Sequence, residues 1–264
     1  MLTVLSFIYG LSLGSFANLV ADRLRVKTIF SGRSKCLHCG HNLTWKELIP
    51  IFSFLYQKGK CKKCKTKLTS TYIWSELATG FLIALLPYII STNLNISDNP
   101  QLIYYGIFLY ILFSTSIALS MIITIYDLRH MLVPFGVVII LFLLGILSTI
   151  IRQFVYDFNI FDSLSGIIVA LPYAFLYFIS KGKWVGIGDV FMYTALGFII
   201  GLPMGISMFF YSIWIGALVA LSLMIIHKNE YNLKSEIPFT PFIILGFILS
   251  LYTNADILNL LINN

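Results

Sequence analysis

The chain has 264 residues, of which 58% are hydrophobic and 11% charged. Soluble domains carry about 25% charged residues, so a soluble globular enzyme is excluded and a multi-pass membrane protein is expected. The formal charge of +7 is local: residues 21–71 hold twelve of the eighteen Lys and Arg with two acids, Asp22 and Glu47, giving +10 against −3 elsewhere. Beside apolar blocks this marks a cytoplasmic loop under the positive-inside rule, and no nucleic-acid partner.

In chain order, the first apolar block is Met1–Val20. Its positive charges (Arg23, Arg25 and Lys27) follow it, where a secretory signal would place them in front, so it reads as a retained helix. The basic loop runs over 21–71, and 72–264 reads as a seven-helix membrane domain. Its blocks are Tyr72–Ile90, Leu102–Tyr126, Met131–Ile151, Ser163–Ser180, a shorter one from Asp189 to Gly201, one ending at His227-Lys228, and Ile237–Tyr252. The loops Ser91–Pro100 and Arg152–Asp162 are poor in Lys and Arg, and Lys181-Gly182-Lys183 is basic. An all-α polytopic fold of about eight transmembrane helices satisfies every loop, with both termini outside and the large loop inside. No internal repeat of fixed period is visible.

All four cysteines lie in the basic loop, as Cys36-x2-Cys39 and Cys61-x2-Cys64, twenty-one residues apart. Two such turns present four thiolates to one ion, the tetrahedral S4 set of structural Zn2+ in a zinc-ribbon-like loop. A reducing cytoplasm argues against two disulfides. Four cysteines suffice, so His38 and His41 read as solvated.

Three acids stand against apolar blocks on the inner face: Glu76, Asp127 and Asp189. Gly186 and Gly188, in Gly186-Ile187-Gly188-Asp189, permit close backbone approach, which places Asp189 in a narrow site on the first turn of an apolar helix. Asp127 ends the third block on the same side. Two facing carboxylates share a proton, and one can then activate water while the other protonates a carbonyl oxygen. The plainer alternative is two solvated helix caps.

Over nearly its whole length the chain resembles the type IV prepilin peptidases. The motifs are Gly14-Ser15-Phe16-Ala17-Asn18-Leu19 with Arg23, the cysteine loop with Glu47-Leu48-Ile49-Pro50, Gly59, Tyr72 and Glu76, then Asp127-Leu128-Arg129-His130-Met131-Leu132-Val133-Pro134, Gly186-Ile187-Gly188-Asp189, and Ile237-Pro238-Phe239-Thr240-Pro241-Phe242. The resemblance implies an aspartic endopeptidase of the bacterial cytoplasmic membrane with Asp127 and Asp189 as the catalytic pair. Its substrates would be prepilins or pseudopilins of pili, secretion or DNA uptake, cut after a short basic leader. It also implies N-methylation of the new amine by S-adenosylmethionine, with Gly59 where the family keeps a glycine linked to that activity.

The chain departs from the family at Phe135, where an aspartate often follows the proline, at Phe191, where a lysine is common, and at Leu48, which replaces an asparagine. The rival readings are a presenilin-type protease, a transporter, and a membrane-anchored zinc-binding module. A transporter would place its acids near the bilayer midplane.

Overall fold

Within lipid every backbone N–H and C=O of a single segment must bond internally, which an open chain achieves only as a helix. The computed structural model describes residues 1–24, 32–36, 38–94, 102–155, 159–226 and 237–253. The readings at Arg25, Lys27, His227 and Lys228, and those on the loops at 95–100 and 156–158, lie outside these residues. The helices are α1 (Leu2–Arg23), α2 (Phe52–Tyr56), α3 (Thr71–Leu94), α4 (Leu102–His130), α5 (Phe135–Val155), α6 (Ile160–Ser163), α7 (Ser165–Ser180), α8 (Ile187–Ile200), α9 (Leu202–Ile226) and α10 (Thr240–Thr253). Among the described residues there is no strand, only two isolated bridges.

All eight expected apolar blocks are therefore helices, and five of them, α1, α3 over Thr71–Thr92, α4, α5 and α9, are long and apolar enough to cross a bilayer. The others, α7, α8 and α10, have 16, 14 and 14 residues. At 1.5 Å per residue they reach about 21–24 Å, short of the roughly 30 Å hydrocarbon layer. Two boundaries also move. Hydropathy ends the third block at Tyr126, but α4 continues one more turn to His130, where polar side chains keep helical backbone bonds. The fourth helix starts at Phe135 and not at Met131: Met131 turns the chain at φ 51°, and Pro134 accepts the N–H of Val137 at the helix start.

The chain divides into two compact units, Met1–Ile125 and Tyr126–Asn264. In the first, α1 lies against α3 through Gly10 and Gly14. A β-carbon on Gly14 would fall 2.8 Å from the Glu76 Cα, so only a small residue allows this crossing. Polar side chains stitch the pair where lipid cannot: Asn18 Nδ2 donates to Ser75 Oγ (2.7 Å), and the Tyr72 hydroxyl donates to Asp22 (2.9 Å).

In the second unit α8 is the buried axis, with Met192, Tyr193, Ala195 and Leu196 fully covered. Ser148 and Thr149 of α5 donate to the carbonyls of Ile199 and Phe198. Arg152 donates to the same two carbonyls and pairs with Asp162, whose other oxygen accepts the N–H of Leu202. This clamp satisfies the backbone where α8 ends and α9 begins, at Gly201 with φ 83°. The loop Arg152–Asp162, read from sequence only as poor in Lys and Arg, therefore holds a closed ion pair.

Gly166 of α7 sets the tightest approach. A β-carbon there would meet the Thr194 carbonyl oxygen at 2.3 Å, whereas one on Gly136 meets nothing within 4 Å. Gly166→Ala is expected to cost about 1–3 kcal/mol by overpacking, while Gly136→Ala should leave stability unchanged or slightly raised. Thermal unfolding in detergent checks the contrast, and equal melting of the two variants would contradict this packing.

Candidate active site and metal centre

Asp189 occupies the first turn of α8, behind the N-cap residue Gly186. The two glycines of its motif have separate roles. Gly186 brings a backbone N–H against the Asp189 carboxylate. Gly188 leaves room for Val133, whose nearest methyl would sit 2.7 Å from a β-carbon at residue 188. That contact draws the segment 131–134, which follows Asp127, onto the start of α8.

Asp127 lies one turn before the C-terminus of α4 and is 5% exposed; Asp189 is half-buried. The two carboxylates are within electrostatic reach of each other. Thr240, the first residue of α10, faces both: its hydroxyl and backbone N–H approach Asp127, and the hydroxyl also approaches Asp189. That hydroxyl is completely buried and closes no hydrogen bond of ordinary length and angle. Three helix ends thus meet at two acids and one hydroxyl. Neither acid lies mid-helix, as an ion path through the bilayer would require.

Aromatic rings fix these ends. Tyr173 of α7 packs on Tyr193 of α8 (4.5 Å between centroids) and on Phe239 (5.5 Å), the residue before Thr240. Tyr193 in turn hydrogen-bonds Ser212 of α9. Phe135 and Phe191, which depart from the family pattern separately in sequence, touch edge to face at 5.7 Å. They form one apolar contact between α5 and α8, close to Asp189.

The cysteine loop shows what the sequence reading missed. Residues 34–43 and 59–68 form the same turn twice. Cys36 and Cys61 donate N–H to the carbonyls of His41 and Thr66, and their own carbonyls accept from Gly40 and Lys65 (2.9 Å in all four). Leu43 and Leu68 donate to Ser34 and Gly59 (2.8 Å each). The shared Lys-Cys-x2-Cys and the leucine seven residues after the first cysteine are the sequence trace of this repeat. Gly59 has φ 67°, and a β-carbon there would press on the Phe54 ring at 3.1 Å, so its need for glycine is met by backbone geometry alone.

The four sulfurs lie within 4.8 Å of one another, and Cys36 and Cys64 are 3.9 Å apart. A tetrahedral S4 site with ~2.3 Å metal–sulfur bonds needs sulfurs about 3.8 Å apart, so the set fits one ion. None of the four is in a disulfide. The Thr66 hydroxyl and N–H pull the Cys64 thiol down to about 6, and the N–H groups of Cys39 and His38 lower Cys36, which favours the thiolate at one cysteine of each turn. His38 is exposed, as expected. His41 is not simply solvated: it is half-buried, with Nε2 3.5 Å from Glu47, whose carboxylate also holds the Thr44 N–H and hydroxyl (2.8 Å each).

Two family models match. One described as the bacterial peptidase A24 N-terminal domain covers residues 8–90, and one described as the type IV leader peptidase family covers 114–221. A prepilin leader peptidase/N-methyltransferase of Bacillus subtilis (strain 168) is 32% identical across 95% of this chain and 93% of its own length. The chain belongs to the type IV leader peptidase family. Proteins of the same description from Vibrio cholerae and Aeromonas hydrophila are 27% and 25% identical, each across 95% of the chain and 96% and 91% of their own lengths. No solved structure matches. The first family segment contains the four cysteines, the second contains both aspartates, and Thr240 lies beyond either.

A hollow of about 440 Å³ at the far end of α8, lined by Arg152, Asp162 and Leu202, holds none of these groups. Its charged pair is already satisfied by the clamp, so it is not the reactive site.

Metal analysis of the purified chain should return about one ion per molecule. Changing Cys36 and Cys61 together to Ser should remove it, and undiminished metal in that double variant would overturn the assignment.

Proposed function

We propose that this chain is a membrane aspartic endopeptidase that removes the short basic leader of type IV prepilins or pseudopilins, with Asp127 and Asp189 as one proton-sharing pair. The observation that carries the residue assignment is the meeting of both carboxylates at the buried Thr240. Carboxylates so placed do not both ionise readily and share a proton. The ionised member takes a proton from water, which attacks the scissile carbonyl, while the protonated member donates to the carbonyl oxygen. On collapse of the tetrahedral intermediate the newly protonated acid gives its proton to the leaving nitrogen as the C–N bond breaks, and the newly ionised acid takes one back from a gem-diol hydroxyl, which resets the pair. Thr240 then has a natural role: its hydroxyl orients the water or the shared proton. Gly186 and Gly188 shape the loop around Asp189.

In this reading residues 1–20 are the first membrane helix, 21–71 the cytoplasmic metal-binding loop, and 72–264 the seven-helix membrane domain with the protease site. The charge of +10 on 21–71 supports a loop on the cytoplasmic face of a bacterial inner membrane, where a basic leader would also lie. The ion of the four cysteines is structural Zn2+, which when bound closes the loop and leaves no open coordination position. The relatives' name supports a second step, transfer of a methyl group from the sulfonium of S-adenosylmethionine to the freed amine, with loss of a proton. Gly59 serves that step indirectly, by keeping the second metal turn in shape.

Incubation of the purified chain with a candidate prepilin, with and without S-adenosylmethionine, followed by intact-mass analysis reads both steps. Leader loss is expected in both samples, and one added methyl only with the cofactor. Asp189→Asn should abolish cleavage while the protein keeps its metal. Thr240→Val should slow cleavage about tenfold, the loss of ~1.4 kcal/mol of barrier stabilisation, and Thr240→Ser should restore it. Full cleavage by Asp189→Asn would overturn the reading.

A further inference from the structure

Helix α2 is only five residues long, yet its large side chains divide cleanly into two faces. Phe54 turns inward over Gly59 of the second metal turn. Phe52, Leu55 and Tyr56, at i, i+3 and i+4, share the opposite face and are 69%, 60% and 87% exposed. Three adjacent apolar side chains are not left to water without a partner.

The height of this face is fixed by one bond. Ile51, immediately before α2, donates its backbone N–H to Glu76 at 2.7 Å. Ile51 holds φ 62°, an uncomfortable value for a β-branched residue, so the bond constrains the chain there. Glu76 is the sixth residue of α3, roughly 7–8 Å along the helix from its start. Trp74, 68% exposed on the same opening turns, marks the aromatic belt of a bilayer surface. The start of α2 is therefore pinned at the depth where an interfacial helix buries its apolar face, about 5–10 Å into the headgroup boundary. The next stretch adds six exposed lysines, 58, 60, 62, 63, 65 and 67, a density that suits anionic headgroups. The same charge repels a basic leader, so this face is poorly suited to hold the substrate's leader.

We infer that the Phe52, Leu55 and Tyr56 face of α2 lies in the bilayer interface, with the lysines of the second metal turn on anionic headgroups. The cysteine loop is then seated on the membrane surface and does not swing free from its two flanking helices.

Photo-crosslinking tests this on the full-length chain. Phe52→p-benzoyl-phenylalanine and Tyr56→p-benzoyl-phenylalanine would be reconstituted in bilayers of phosphatidylcholine with phosphatidylglycerol and irradiated, beside a replacement of Asn42, an exposed residue of the first metal turn, as the aqueous control. Tyr56 is so exposed that its replacement does not threaten folding, and retained metal content checks each variant. Lipid adducts at 52 and 56 are expected at several times the yield at 42, falling several-fold when phosphatidylglycerol is omitted. Yields no higher than at 42 would overturn the placement, as would adducts to added prepilin in place of lipid. Yields indifferent to phosphatidylglycerol would overturn the anionic assignment.

Discussion

Val133 sits where a side chain on residue 188 would otherwise lie, 2.7 Å from the β-carbon position, and the second unit depends on that contact. It seats the link after α4 on the first turn of α8, and so brings Asp127 and Asp189 to one place. Everything around it maintains that register. Tyr173, Tyr193 and Phe239 lock three helices behind the acids, while Arg152 and Asp162 close the opposite end of α8. Because one side of α8 is fully covered at Met192, Tyr193, Ala195 and Leu196, it has little freedom to slide, and the acid on its first turn is held in position. A larger residue at 188 would push Val133 away and separate the pair without touching either carboxylate.

The first unit follows a different rule. Its helices approach through glycines and bind through a few buried polar side chains, Asn18, Ser75 and Glu76 among them. The cysteine loop is then built by repetition: one ten-residue turn used twice gives four thiols converging from two directions. In the first turn Gly40 adopts the left-handed backbone conformation, and in the second Lys65 adopts it at φ 60°. The strain at Lys65 is tolerated because the hydrogen bonds to Cys61 and from it over-determine the turn.

Much of this was legible in the sequence for physical reasons. Lipid demands helices, so apolar blocks located α1, α3, α4, α5 and α7–α10, and cysteine spacing announced the S4 set. Helix ends were less legible, because hydropathy reports the solvent and not the backbone: the polar run after Tyr126 hid the last turn of α4. The repeat in the cysteine loop was missed because only Lys, the two Cys and Leu are shared between its copies. Thr240 was read only as part of a closing motif. Its signal was available, a lone hydroxyl between two prolines at the mouth of an apolar helix, but nothing in sequence says which acids it will meet. Likewise Phe135 and Phe191 read as two unrelated departures until the fold joined them in one contact.

The central claim is that Asp127 and Asp189 act as a single unit. Groups that exchange one proton within one mechanism are non-additive when removed, whereas independent groups multiply their effects. The residual prepilin-cleavage rate of the Asp127→Asn, Asp189→Asn double variant, set beside each single variant, decides between these. The account predicts a double variant no more than a few-fold slower than either single one. A double variant whose loss equals the product of the two single losses would contradict it.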